Sequence, residues 1–287
     1  MRPKSHHHLT STAMVRELAY GKLNLVLHVG ARRVDGLHPV CSLIASIDLA
    51  DDVIAEPKES GSDTVECEGV PGDNLATRAL AEFRSRAGRE LPPLAITIRK
   101  RVPVAAGLGG GSADAAAALR IANRLAGEPL GREELLRIAA DLGSDVPSQL
   151  DPRHALVQGA GERIEPVSLP SLGAVLIPDE QGLSTAAVYA ELDRLECARE
   201  QLDPDPLHRL ANSSRDELSR SLQNDLQPAA LSLRPDLQER LDALTAAGAL
   251  GVAVSGSGPT CFGLFPDRAA AERAAERLPG ALVTQLR

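Results

Sequence analysis

Aromatic residues are nearly missing: the 287 residues include no Trp, two Tyr and three Phe. A core built on ring packing is excluded, so Leu, Val and Ala must fill it, and any site that needs stacking has few rings to draw on. Cysteine is sparse and scattered. Cys41, Cys67, Cys197 and Cys261 form no C-x-x-C pair, which argues against a zinc cage or a disulfide framework. No apolar run reaches the roughly 18–20 residues of a membrane span. The N-terminus lacks the positive-then-apolar pattern of a secretory signal. Positive charge is not in excess either: 31 Lys and Arg stand against 39 Asp and Glu, a formal net charge of −8. That balance argues against nucleic acid as a main partner. The expectation is a cytoplasmic chain without nucleic-acid or membrane partners, long enough for one large domain or two medium ones.

A polar leader carrying His6, His7 and His8 occupies residues 1–13 and stands outside the fold argument. From Glu17 to Val29 apolar and polar positions alternate, which predicts a half-buried strand. Asp35-Gly36 is a turn signal, and Ser42 to Ile54 reads as a strand pair region. Asn74 to Gly88 has helical spacing with Asp73 or Asn74 as N-cap, and Leu94 to Lys100 alternates again. Arg132 to Leu142 reads as a helix stopped by Gly143. Texture changes near 151–163, which divides the chain into domains 14–154 and 155–287. In the second half, strands are expected at Ala174–Ile177, Gly251–Val254, Thr260–Phe265 and Ala281–Leu286. Helices are expected at Thr185–Leu195, Glu217–Leu231, Leu237–Ala247 and Arg268–Leu278, with a loose Pro/Asp segment over Leu202–Leu207. The fold class is α+β, with helices on one face of a sheet in the second half.

The richest local signal is Pro103 to Ala113, PVAAGLGGGSA. Gly107, Gly109, Gly110 and Gly111 are interrupted only by Leu108, and the alanine-rich segment Ser112 to Ala122 follows with strong helix propensity. A flexible turn before a surface helix is the bland account. A glycine-rich turn opening on a helix is also a ready phosphate site, because the backbone can approach a ligand closely and the first-turn N–H groups face it. No Gly-Lys-Ser/Thr follows, so this is not a Walker loop, and the dinucleotide fingerprint does not fit either.

Two charged residues stand in unusual surroundings. Lys22 lies inside an apolar strand pattern, and a lysine facing solvent explains it as well as a functional cation does. Asp145 follows a helix end in Gly-Ser-Asp-Val-Pro, where a turn aspartate capping backbone amides is an equal reading. With a phosphate loop they make a complete set for phosphoryl transfer: a base, a cation and a cradle.

Ordered motifs over about residues 16–286 resemble the GHMP-type small-molecule kinases. They are Gly21-Lys22-Leu23-Asn24-Leu25, Asp35-Gly36-Leu37-His38, Asp73-Asn74-Leu75, the glycine loop, Leu142-Gly143-Ser144-Asp145-Val146-Pro147, Asn224-Asp225-Leu226 and Ser255-Gly256-Ser257-Gly258-Pro259-Thr260. Within that superfamily the lysine motif, Asp-Gly-x-His and Gly-Ser-Asp-Val-Pro are most similar to the branch acting on a cytidine diphosphate-linked methylerythritol in non-mevalonate isoprenoid synthesis. The resemblance implies a two-lobed fold, with a ribosomal-protein-S5-like N-terminal lobe and a ferredoxin-like C-terminal lobe. It implies ATP and Mg2+, with direct transfer to the 2-hydroxyl of that small molecule. Asp145 would be the base and Lys22 its cationic partner. Pro103, Val104, Ala105, Ala106, Gly107, Leu108, Gly109, Gly110, Gly111, Ser112 and Ala113 would wrap the ATP phosphates, with Asn74 near the adenine. Asn24, His38, Thr185 and Tyr189 would contact the acceptor, His38 at the cytosine edge.

The chain departs from that branch around the cytosine. Leu37 and Pro39 flank His38 where Tyr and Glu are usual, Leu43 and Ile44 stand where an aromatic is common, and Ser148 replaces a frequent Phe. Tyr20 and Gly21 occupy positions usually filled by Pro and by Ala or Gly. A relative acting on another alcohol would keep Lys22, Asp145 and the loop. A nucleotide-binding protein without turnover would bind ATP alone, and intact Lys22 and Asp145 count against it.

Overall fold

The alternation near the start of the chain is a strand in the computed structural model, which describes residues 14–70, 72, 74–179 and 181–287. The leader and Asp73 lie outside the described residues. Strand β1 (Val15–Val29) turns through Asp35-Gly36 into β2 (Val40–Pro57), its antiparallel partner. Then follow β3 (Thr64–Cys67), α1 (Leu75–Ala87), β4 (Leu94–Arg99), α2 (Gly110–Leu125), α3 (Arg132–Leu142), α4 (Val146–Gln149), β5 (Ala155–Gly159) and β6 (Arg163–Pro166). The expected strand pair over Ser42–Ile54 is instead one strand. Its first part pairs with β5 and its last part with β4, so both halves are held in a single extended run.

Helix α1 begins at Asn74, whose Oδ1 accepts from the N–H groups of Ala76 (3.0 Å) and Thr77 (3.1 Å), and ends at Gly88 with φ +58°. Helices α1, α2 and α3 cover one face of the sheet. Ala113 and Ala115–Ala118 on α2 pack with Leu80 and Phe83 on α1 and with Ile96 and Ile98 on β4. Small side chains along α2 let helix and sheet approach closely, which suits a core poor in rings.

The rest of the chain forms β7 (Gly173–Ile177), α5 (Thr185–Arg194), α6 (Asp205–Ala211), α7 (Arg215–Arg220), β8 (Gln223–Asn224), α8 (Gln227–Leu233), α9 (Leu237–Ala246), β9 (Gly251–Val254), β10 (Cys261–Phe265), α10 (Arg268–Ala275) and β11 (Leu282–Gln285). The second sheet runs β11-β7-β10-β9, all antiparallel. That is the order four-one-three-two of a ferredoxin-like βαββαβ unit. Helices α9 and α10 close one face through Leu237, Leu241, Leu244 and Ala271.

Two expectations for the second half differ from the structure. The helix expected over Glu217–Leu231 is two helices with β8 between them. Asn224 interrupts it by donating from Nδ2 to the carbonyls of Val254 (2.8 Å) and Gly256 (2.7 Å), and Pro228, with no N–H to give, restarts a helix at its first turn. The loose segment over Leu202–Leu207 ends in a helix that begins at Asp205.

A division at 154 and 155 falls inside the first sheet, because β5 and β6 still pair with it; the change of sheet lies between Pro166 and Gly173. The two sheets share a core in which Leu23, Leu25, Leu43 and Leu108 meet Leu172, Leu176, Phe262 and Leu264. Asp48 pins the same junction, accepting from Arg268, from Thr284 Oγ1 (2.6 Å) and from the Gln285 N–H (3.0 Å). No helix among the described residues is long and apolar enough to cross a membrane.

Candidate active site

Against β2 the register of β1 slips twice, between Tyr20 and Lys22 and between Asn24 and Val26. These irregularities bracket Lys22 and Asn24, and such bulges re-aim side chains. The Lys22 N–H donates to the Leu108 carbonyl at 2.9 Å, so here β1 is bonded to the glycine loop. Its side chain is only 5% exposed, which removes the solvent-facing reading. Nζ donates to Asn24 Oδ1 at 2.5 Å and lies 3.4 Å from Asp145 Oδ2. Asn24 is fixed in turn, donating to Ser42 Oγ at 2.9 Å, and the Ser42 hydroxyl donates to the Val26 carbonyl at 2.7 Å.

Asp145 precedes α4, yet its carboxylate caps no backbone amide there. The turn-cap account therefore fails, and the side chain, 45% exposed, pairs with Lys22 instead.

The loop is held in place by what it touches. Leu108 is buried in the shared core. Gly107 has φ +76°, and a Cβ there would lie 2.2 Å from the Ser255 carbonyl; Ser255 Oγ donates to the Gly107 carbonyl at 3.0 Å. Gly109, φ +70°, would set a Cβ 3.0 Å from Lys22 Cγ. Only glycine lets lysine stem, loop and serine-glycine turn meet this closely. Helix α2 starts at Gly109 with no side-chain cap, which leaves first-turn N–H groups free of one.

Both ends of the loop converge on one cation. Lys100 Nζ donates to Asp51 Oδ2 (2.5 Å) and Asp114 Oδ2 (2.7 Å), while Asp51 Oδ1 accepts from the Val102 N–H at 2.8 Å. Burial raises the Asp114 carboxyl well above the carboxylate range, and Lys100 only partly offsets it. Nothing in the sequence pattern distinguishes this cluster from surface charge.

A cleft of about 970 Å³ brings Lys22, Asn24, His38, Asp145, Thr185 and Tyr189 together with Ala105, Gly107 and Gly109. Pro103, Val104, Ala106, Leu108, Gly110, Gly111, Ser112 and Ala113 are not on its wall, and Ala106 and Leu108 face the core. Asn74 is also away from that wall. Its oxygen caps α1, its Nδ2 is buried without a partner, and the next residue, Leu75, lies beside Gly111.

One face of α5 supplies the far side of the cleft. Thr185, Tyr189 and Asp193 recur every fourth residue, so they align on the helix surface. Thr185 Oγ1 lies 2.9 Å from Ser257 Oγ. The Tyr189 ring packs on His38 with centroids 5.0 Å apart at 37°. Burial, and then the charge of Asp145, push the Tyr189 phenol up to about 12, so it stays neutral. Asp193 is absent from the sequence motifs, and Ser257 stands in the serine-glycine motif without an expected role. The four-residue spacing from Thr185 was the signal for Asp193.

The "GHMP kinases N terminal domain" model matches residues 74–151, and the "GHMP kinases C terminal" model matches residues 198–284. A 4-diphosphocytidyl-2-C-methyl-D-erythritol kinase of Nocardia farcinica is 44% identical, covering 96% of this chain and 92% of the relative. One of Streptomyces coelicolor is also 44% identical, covering 86% of each. A crystal structure of 4-(cytidine 5'-diphospho)-2C-methyl-D-erythritol kinase superposes with a TM-score of 0.80 at 36% identity, covering 94% of this chain and 98% of that one. A homoserine kinase of Cytophaga hutchinsonii, 18% identical with a TM-score of 0.74 and coverage of 99% and 97%, shares the fold. Lobes, motifs and relatives agree: the chain belongs to the GHMP kinases, in the family of the 4-diphosphocytidyl-2-C-methyl-D-erythritol kinases.

Proposed function

We propose that the chain transfers the γ-phosphoryl group of ATP directly to the 2-hydroxyl of 4-diphosphocytidyl-2-C-methyl-D-erythritol, in the cytoplasm. One observation carries the reading: a buried lysine, aimed by two bulges and by Asn24, stands 3.4 Å from a half-exposed carboxylate at a glycine-rich loop. Asp145 takes the hydroxyl proton as the oxygen attacks phosphorus and the bond to ADP breaks. Lys22, 3.4 Å from Asp145, steadies that carboxylate and offsets charge on the transferring group. Residues 103–113 wrap the ATP phosphates and Asn74 lies near the adenine. Asn24 and Thr185 orient the acceptor, and His38 with Tyr189 receives the cytosine.

Among the described residues no three His, Cys, Asp or Glu side chains cluster into a metal cage. A nucleotide-bound Mg2+ retains waters and substrate phosphates and takes only one or two protein oxygens. The Ser112 hydroxyl in the first turn of α2 would supply one. Bound there with ATP, such an ion would supply positive charge to offset that of the phosphates.

The test is magnesium-dependent ADP release with the cytidyl substrate against homoserine, mevalonate and galactose. Turnover with the cytidyl compound alone is expected. Turnover only with another alcohol would replace the acceptor named here, and the change at Leu37, exposed at the cleft, would be the place to look.

A further inference from the structure

His38 is gripped by α5 at two points. Its ring lies on Tyr189, and Nε2 lies 2.8 Å from Asp193 Oδ1, a contact between residues 155 apart in sequence. The imidazole is 6% exposed. Arg194, the nearest cation in sequence to Asp193, is instead engaged by Glu191. The neighbouring face of α5 is fixed, because Val188 and Leu192 are buried with Leu27 and Val29. Asp193 is therefore delivered to the ring by a rigid element. Among the described residues Nδ1 of His38 has no hydrogen-bond partner.

We propose that Asp193 is a positioning residue for base recognition, and this rests on the reading of the cleft as a cytidyl site. The carboxylate accepts the proton on Nε2 and so holds His38 in the tautomer whose Nδ1 carries a lone pair. A ring in that state accepts a hydrogen bond from the 4-amino group of cytosine. Against uracil it would set one acceptor on another, and a buried mismatch of that kind costs affinity. Asp193 thus sets the choice of pyrimidine without touching it. Tyr189, four residues earlier on the same face, holds the plane of the ring.

The test compares wild type, Asp193→Ala and Asp193→Asn. Steady-state kinetics would use the cytidine-linked substrate and its uridine-linked counterpart. Long-range 15N NMR on 15N-histidine protein would read the His38 tautomer, assigned with His38→Gln. Wild type should show the proton on Nε2 and prefer the cytidine compound. Asp193→Ala should show mixed tautomers, a KM for the cytidine compound raised about ten- to a hundredfold, and a smaller pyrimidine preference. Its kcat should change by less than about threefold. Asn keeps an acceptor oxygen and should restore most of both. A wild-type proton on Nδ1, or Asp193→Ala with undiminished pyrimidine preference, would overturn the proposal. A wild type inactive on both nucleotide-linked substrates but active on another alcohol would overturn the cytidyl reading itself. The tautomer, read on free enzyme, separates that failure from a failure of the Asp193–His38 pairing.

Discussion

Gly107 and Gly111 belong to the same loop but answer different questions, and alanine at each separates fold from phosphate binding. At Gly107 the added methyl would lie 2.2 Å from the Ser255 carbonyl and 3.0 Å from that of Gly258, both backbone atoms. Neither can swing aside as a side chain would. A left-handed alanine costs about 1 kcal/mol, and forced backbone shifts in a packed region add roughly 1–3 kcal/mol. Gly107→Ala should therefore lose about 2–4 kcal/mol in urea unfolding. At Gly111 a Cβ meets only Leu75 Cδ1, at 4.0 Å, with no positive φ. Alanine in α2 should stabilise by about 0.5–1 kcal/mol. Yet a methyl on this exposed first turn would stand where a phosphate must approach, and KM for ATP should rise about tenfold or more. Gly111→Ala with unchanged ATP KM would refute the cradle. Gly107→Ala within about 0.5 kcal/mol of wild type would refute the account of how the loop is fixed.

Lys22→Met should lower kcat by about a hundredfold or more, measured as ADP release at saturating substrates, because it removes the cation facing Asp145. Asn224→Ala should destabilise by about 2–3 kcal/mol in denaturant titration, since it strands the buried Val254 and Gly256 carbonyls. Asp114→Asn should change the pH dependence of thermal unfolding. Burial raises the folded carboxyl above its unfolded value, so the wild type is favoured below the unfolded value and loses that advantage as pH rises through about 7. The variant should gain on wild type between pH 5.5 and 8; an equal gap at both would show that Asp114 does not titrate there.

Short-range pattern was enough for most of the fold. The edges of α3 matched residue for residue, since Gly143 follows a clean helical period, and the strands of the second sheet stand out as compact apolar runs between turns. The failures lie where a distant partner decides. Nothing near Ser42–Ile54 reveals that β4 and β5 will divide one long strand between them, and Asn224 breaks a helical pattern because its amide is needed 30 residues on, at the end of β9. The site divides in the same way. Lys22 and Asp145 were legible through their motifs, but their approach needed the bulges and the loop contact. Lys100, Asp51 and Asp114 look like ordinary charges in sequence, and only burial makes them a cluster.

The base assignment is the claim on which the mechanism stands. Asp145→Asn keeps the size of the side chain and removes its ability to take a proton. Magnesium-dependent ADP release with the cytidyl substrate, paired with calorimetric titration of ATP, measures both halves. The account predicts turnover reduced at least about a thousandfold with ATP affinity within a few-fold of wild type. Turnover within about tenfold of wild type would contradict it and send the search for the base elsewhere in the cleft.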